Sequence, residues 1–156
     1  MDTREVVNRA KVSGIFETSP GVLEGVLYGD MPTKSNQRKV YKLAGGRRLF
    51  GKSAKALNFV ERVEGTAKYT NAKGPLQGAT SRGDLKAGLR PLVLSAVVYG
   101  ASWSRDLDVE LLPDALQKAG FINNDRAIRE KHYWWRLDRR NPRVEFSIRK
   151  AEEREV

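Results

Sequence analysis

At 156 residues the chain is long enough for one domain that buries its own core. It has no cysteine and one histidine, His132, which excludes disulfide scaffolds, thiolate zinc sites, cysteine nucleophiles and any histidine-rich metal centre. Lysine and arginine number 29 against 19 acids, and the resulting net charge of +10 points toward a polyanionic partner.

Residues 1–20 show no clear period and are expected to form a poorly ordered arm or an edge element. The charged start Met1-Asp2-Thr3-Arg4-Glu5 is not followed by an apolar stretch, so no signal peptide is expected. Residues 21–29 (GVLEGVLYG) read as a first strand closed by glycine. Residues 32–51 form a basic loop or hairpin with Gly45-Gly46 at its turn. No acid occurs between residues 31 and 60, whereas Lys34, Arg38, Lys39, Lys42, Arg47, Arg48, Lys52 and Lys55 all fall there. Ser53 is placed to cap a helix whose Ala56, Phe59, Val60 and Val63 recur at helical spacing.

Residues 70–88 are polar and glycine-spotted, as expected of a mobile loop with room for one short turn. Residues 92–99 are continuously apolar and β-rich, as in a central strand covered on both faces. The longest apolar run, residues 91–98, is well short of the roughly 20 residues a membrane helix needs, so a soluble cytoplasmic protein is expected. Leu112, Ala115, Leu116 and Ala119 make the buried stripe of a second helix, with Pro113 in its first turn and Gly120 just past its end. Residues 128–137 and 143–149 read as two strands of a hairpin turned at 138–142, and residues 151–156 as a charged tail. The class expected is α+β: one domain, over residues 21–150, with helices packed on a small mixed or antiparallel sheet.

The most informative stretch is 105–128, where Asp106, Asp108 and Asp125 surround the second helix of an otherwise basic protein. On extended backbone, side chains at i and i+2 point the same way, so Asp106 and Asp108 would converge and Leu107 would face the core. The helix between them and Asp125 is expected to return the chain to the same end. Three carboxylates brought together repel one another unless a cation neutralises them, and oxygen ligands suit Mg²⁺. Such an ion would hold a phosphate and activate water, which makes a metal-dependent nuclease the leading reading. Each acid also has an ordinary use: Asp108 can cap the helix, Asp125 can sit in a turn after Asn123-Asn124, and Glu110 and Asp114 suit a helix's first turn.

Arg105-Asp-Leu-Asp, then Asp114-Ala-Leu-Gln-Lys-Ala-Gly120, then Asn124-Asp125 followed by Ile128, resembles the signature of the RusA-type Holliday-junction resolvases found in phages and prophages. Pro32-Thr-Lys-Ser35-Asn36 is similar to that family's proline-serine-asparagine loop, and the element order fits throughout. Val109 and Asn124 stand where the family has an asparagine and the first of two paired aspartates, and its helical lysine has no counterpart. Lys118 and Lys131 are the candidate replacements for that cation.

The resemblance implies a homodimeric α+β endodeoxyribonuclease that nicks four-way DNA junctions in symmetric pairs, in recombination, repair or phage DNA processing. It implies Mg²⁺, with Mn²⁺ as a substitute, and carries the catalytic role to Asp106, Asp108 and Asp125. Asn124 is a further candidate ligand through its amide oxygen. Lys34, Asn36, Arg38, Arg47, Arg48 and Arg105 are the candidate DNA contacts. Trp103 is a candidate for contact with an opened junction, whereas Tyr133, Trp134 and Trp135 suit core or dimer packing better. A branched-DNA-binding protein with weak or no nuclease activity is the alternative, and a basic RNA-binding protein a third class.

Overall fold

The structure, a computed structural model, describes residues 12–32, 38–103 and 107–153. Its main sheet has five strands: β1 (Gly14–Ser19), β2 (Val22–Tyr28), β5 (Leu92–Gly100), β6 (Ile128–Leu137) and β7 (Arg143–Lys150), in the order β1-β2-β7-β5-β6. A separate two-stranded ribbon joins β3 (Arg38–Lys42) to β4 (Arg48–Lys52). Three α-helices among the described residues complete the single α+β domain: α1 (Ala54–Thr66), the short α2 (Arg82–Lys86) and α3 (Leu111–Lys118).

Local sequence accounts for most of these elements. Ser53 Oγ accepts from the Ala56 N–H at 3.2 Å, satisfying one of the free donors at the start of α1. The stripe Ala56, Phe59, Val60 and Val63 is buried, as its spacing requires. Along β2 and β7 burial alternates, so Leu23 and Leu27 join Val144, Phe146 and Ile148 on the face that α1 and α3 cover. Gly25 lies opposite Phe146 in that register, and a Cβ there would stand 2.5 Å from the Phe146 ring. Glycine is thus what allows a phenylalanine to lie across the strand.

Of the two forms expected for residues 1–20, residues 14–19 take the edge element: β1 is an edge strand paired antiparallel with β2, so the sheet begins before residue 21. The strand order departs from expectation elsewhere: strands β6 and β7 are not a hairpin. β5 lies between them, parallel to β6 and antiparallel to β7. The apolar β5 takes the place with a neighbour on each side, and the 138–142 turn carries the chain past its end, where Asp138 N–H donates to the Gly100 carbonyl at 2.9 Å. The tail expected at 151–156 is tied down at its start: Ala151 is buried and its N–H donates to the Pro91 carbonyl, while Glu153 pairs with Arg90 at 2.7 Å.

A candidate nuclease site around the β5–α3 loop

Beyond Gly100 the chain leaves the sheet and turns back toward α3. Val109 anchors this loop in the core with no exposed surface. Asp108 Oδ1 accepts from the Glu110 N–H at 3.1 Å, a local side-chain turn that leads into the helix. Leu107, expected to face the core, is exposed, and Val109 is the residue of this loop that is buried. The helix begins after Glu110, which makes no side-chain capping bond, and Pro113 lies within its first turn.

The loop lies against one segment of β6. Lys131 Nζ meets the Glu110 carboxylate at 3.0 Å, an ion pair that sequence reading did not find because its partners are 21 residues apart. Tyr133, two residues on, has a buried hydroxyl with no hydrogen-bond partner among the described residues. Burial raises the pKa of that phenol, and the negative charges of Glu110 and Asp108 push it in the same direction. Of the two candidate replacement cations, Lys131 is therefore the one beside the acidic loop, whereas Lys118 pairs along α3 with Asp114 at 3.8 Å.

Asp125 lies at the other end of α3. Its N–H donates to Gln117 Oε1 at 2.8 Å, in the helix's last turn. The rise from Glu110 to Gln117 is about 10 Å, so α3 separates Asp108 from Asp125. The reason is topological: β5 and β6 are parallel, so the helix between them carries the chain toward the start of β5, where Leu92 pairs with Ile128. The expectation that this helix returns the chain to the end it left is corrected by that pairing.

Asn124 Oδ1 accepts from the Arg126 N–H at 2.9 Å and caps the 3-10 turn Asp125–Ala127. Its neighbour Asn123, read from the sequence only as a turn residue, clamps both the N–H and the carbonyl of Gly78 at 2.9 and 3.0 Å. Among the described residues no three histidine, aspartate or glutamate side chains stand close enough to share a metal ion. Asp106, Arg105, Lys34 and Asn36 lie outside the described residues.

The basic ribbon closes at a glycine turn. Leu43 N–H donates to the Arg47 carbonyl at 2.7 Å, and Gly45 and Gly46 take φ of 95° and 83°, a region that favours glycine. Lys42, Arg47 and Arg48 are exposed, and Arg38 begins the first strand of the ribbon. Trp103 rests over Trp135 with ring centroids 4.4 Å apart. Gly100 makes room for this pair, since a Cβ there would come within 2.9 Å of Trp135 Nε1.

Comparison with protein-family models and with curated proteins returns no match to this chain. Among the described residues no helix is long and apolar enough to cross a membrane.

Proposed function

We propose that the protein is a metal-dependent, structure-specific endodeoxyribonuclease that resolves four-way DNA junctions by paired nicking, acting as a homodimer in the cytoplasm of a bacterial or phage-infected cell. The observation that carries the reading is the acidic loop between β5 and α3. It sets Glu110 against Lys131, with Asp108 two residues before, in a chain whose net charge is +10. That loop also bears the Arg105-Asp-Leu-Asp series on which the resemblance to RusA-type resolvases rests.

The donor chemistry suits Mg²⁺ or Mn²⁺, since carboxylate oxygens are the ligands those hard cations take. Asp108 would be one ligand, with Asp106 beside it in sequence, whereas Asp125 lies at the far end of α3. A bound divalent ion would polarise the scissile phosphate and lower the pKa of a water. The chain's own residues do the rest. Lys131 holds Glu110 in place, and the exposed Arg47 and Arg48 on the ribbon supply phosphate contacts, with Lys34, Asn36, Arg38 and Arg105 as further ones. Trp103 offers an exposed ring on which an unpaired base can stack.

The separation of Asp108 from Asp125 by α3 favours a second reading, a branched-DNA-binding protein that cuts weakly or not at all. One assay distinguishes the two: Mg²⁺-dependent cleavage of a labelled four-way junction, with Asp108→Asn alongside. Paired symmetric nicks that vanish in the variant while junction binding persists support the resolvase. Tight junction binding without cutting in Mg²⁺ or Mn²⁺ rejects it in favour of the binding protein. Equal affinity for a junction and a linear duplex of the same length rejects both.

A further inference from the structure

Strand β6 ends the sheet. Its ten residues pair with β5 on one side, and no strand among those described pairs with the other. The opposite edge, β1, is shorter, six residues with a register shift between Glu17 and Ser19 that blunts it as a template. β6 has neither glycine nor proline, and its own irregularity falls near its start, opposite Leu92 and Val93. Beyond that irregularity residues 130–136 run regularly. Apolar side chains flank the edge on both faces: Trp134 is 49% exposed on one, Trp103 is 73% exposed over Trp135 on the other, and Leu137 is exposed at the end.

Unpaired edges are commonly guarded by like charges, and β6 does carry several charged residues. Their order is what identifies the occupant. Successive side chains alternate between the two faces, so Glu130, His132, Trp134 and Arg136 share the face away from the helices, while Lys131, Tyr133 and Trp135 share the face toward them. Antiparallel pairing of two copies about a two-fold axis through Tyr133 keeps each set on its own face. Glu130 then stands opposite Arg136 of the second copy, His132 opposite Trp134 and Lys131 opposite Trp135, each pair formed twice by symmetry.

Neighbouring registers lack this match. A shift in one direction sets Glu130 opposite Asp138 and His132 opposite Arg136, both unfavourable or unpaired. A shift in the other sets His132 opposite itself and removes both ion pairs. Moving the axis by half that step would exchange the faces of every side chain. We propose that the β6 edge is the docking surface for a second copy of this chain, paired antiparallel with Tyr133 on the axis, so that two five-stranded sheets become one. The inference deepens the homodimer part of the function proposed above and names its interface.

Sedimentation velocity of the full chain tests it. The expected result is a dimer for the unaltered protein. In Arg136→Glu both ion pairs become like-charge contacts, and the dimer should weaken on the order of ten-fold or more. The charge swap Glu130→Arg with Arg136→Glu in one chain should recover most of that loss. Both positions are at the surface of the single chain, and the far-ultraviolet circular dichroism of each variant verifies that it folds. A monomeric wild type, a dimer indifferent to Arg136→Glu, or a double variant no stronger than the single one would each overturn the proposal. Its failure is separable from that of the nuclease reading, because junction cleavage is scored independently. A monomer that still nicks DNA rejects only this interface, and a β6-paired dimer that never cuts rejects only the nuclease.

Discussion

Trp103 lies over Trp135 with their ring centroids 4.4 Å apart and their planes inclined by 39°, so a largely exposed indole is held in place by a half-buried one. If this pair is a platform for unpaired bases, Trp103→Ala should reduce affinity for a junction with an opened centre. The loss should be about five- to a hundred-fold, the range of one lost base–aromatic stack. Affinity for intact duplex, held by phosphate contacts, should change little. A fluorescent base analogue at the junction centre reads the contact directly, and an equal loss on both substrates would assign Trp103 a different role.

Asp108 and Asp125 sit at opposite ends of α3, which makes their separate neutralisation informative. Should both ligate the ion that drives cleavage, Asp108→Asn and Asp125→Asn should each slow it about 10²-fold or more, since such an ion contributes several kcal/mol to the barrier. Single-turnover rates at saturating Mg²⁺ measure this. A slow Asp108→Asn beside an unaffected Asp125→Asn would restrict the active site to the β5–α3 loop.

Tyr133 buries a hydroxyl that makes no hydrogen bond among the described residues. Removing an unsatisfied polar atom while keeping the ring should not destabilise the fold. Tyr133→Phe is therefore expected to be neutral or to gain up to about 1 kcal/mol. Urea denaturation gives the answer, and a clear loss of stability would mean that the phenol has a partner in solution.

Gly25 faces the Phe146 ring closely enough that a methyl group cannot be added without displacing it. Gly25→Ala should destabilise the protein by about 1–3 kcal/mol, as overpacking of a tight core does. A paired Phe146→Leu change should return part of that loss, and its absence would show that the strain lies in the backbone instead.

Asp138 accepts from Arg143 Nη1 at 2.8 Å and from the N–H groups of Arg140 and Asn141, and the Arg143 hydrogen bond leads in holding its carboxyl below the ordinary 3.8. A carboxyl whose folded pKa is depressed stabilises the fold fully above its unfolded value and loses that contribution as pH falls through the folded one. Asp138→Asn should therefore lower Tm by a similar small amount from neutral pH down to about pH 5, and the gap from wild type should close below the unfolded value. Thermal melts over that series check the sign, since a gap that widened in acid would contradict it.

What the sequence made legible divides along physical lines. The α1 stripe, its Ser53 cap, the basic hairpin and the strand at residues 22–28 follow from local periodicity and turn chemistry, and all are present. The pairing of β6 with β7 was misread because a five-residue turn bounded by alternating strands looks the same whether the strands touch or straddle a third. Only the non-local affinity of apolar β5 for both neighbours decides it. β1 has too few apolar positions to announce itself, because an edge strand needs one covered side at most. At the acidic loop the expected inward facing of Leu107 failed: the Asp108 side chain bonds to the chain two residues on, Leu107 is exposed and Val109 is the buried residue.

The last strand in sequence among the described residues is the middle strand of the sheet, since β7 joins β2 on one side to β5 on the other. Until it emerges during synthesis, β1–β2 and β5–β6 are two separate pairs with no hydrogen bonds between them, and two-stranded pieces are marginal on their own. Completion of the sheet must then wait until residues 143–150 have left the ribosome. A stop codon before residue 143 would not trim this protein but divide it, leaving two unpaired edges where its centre should be.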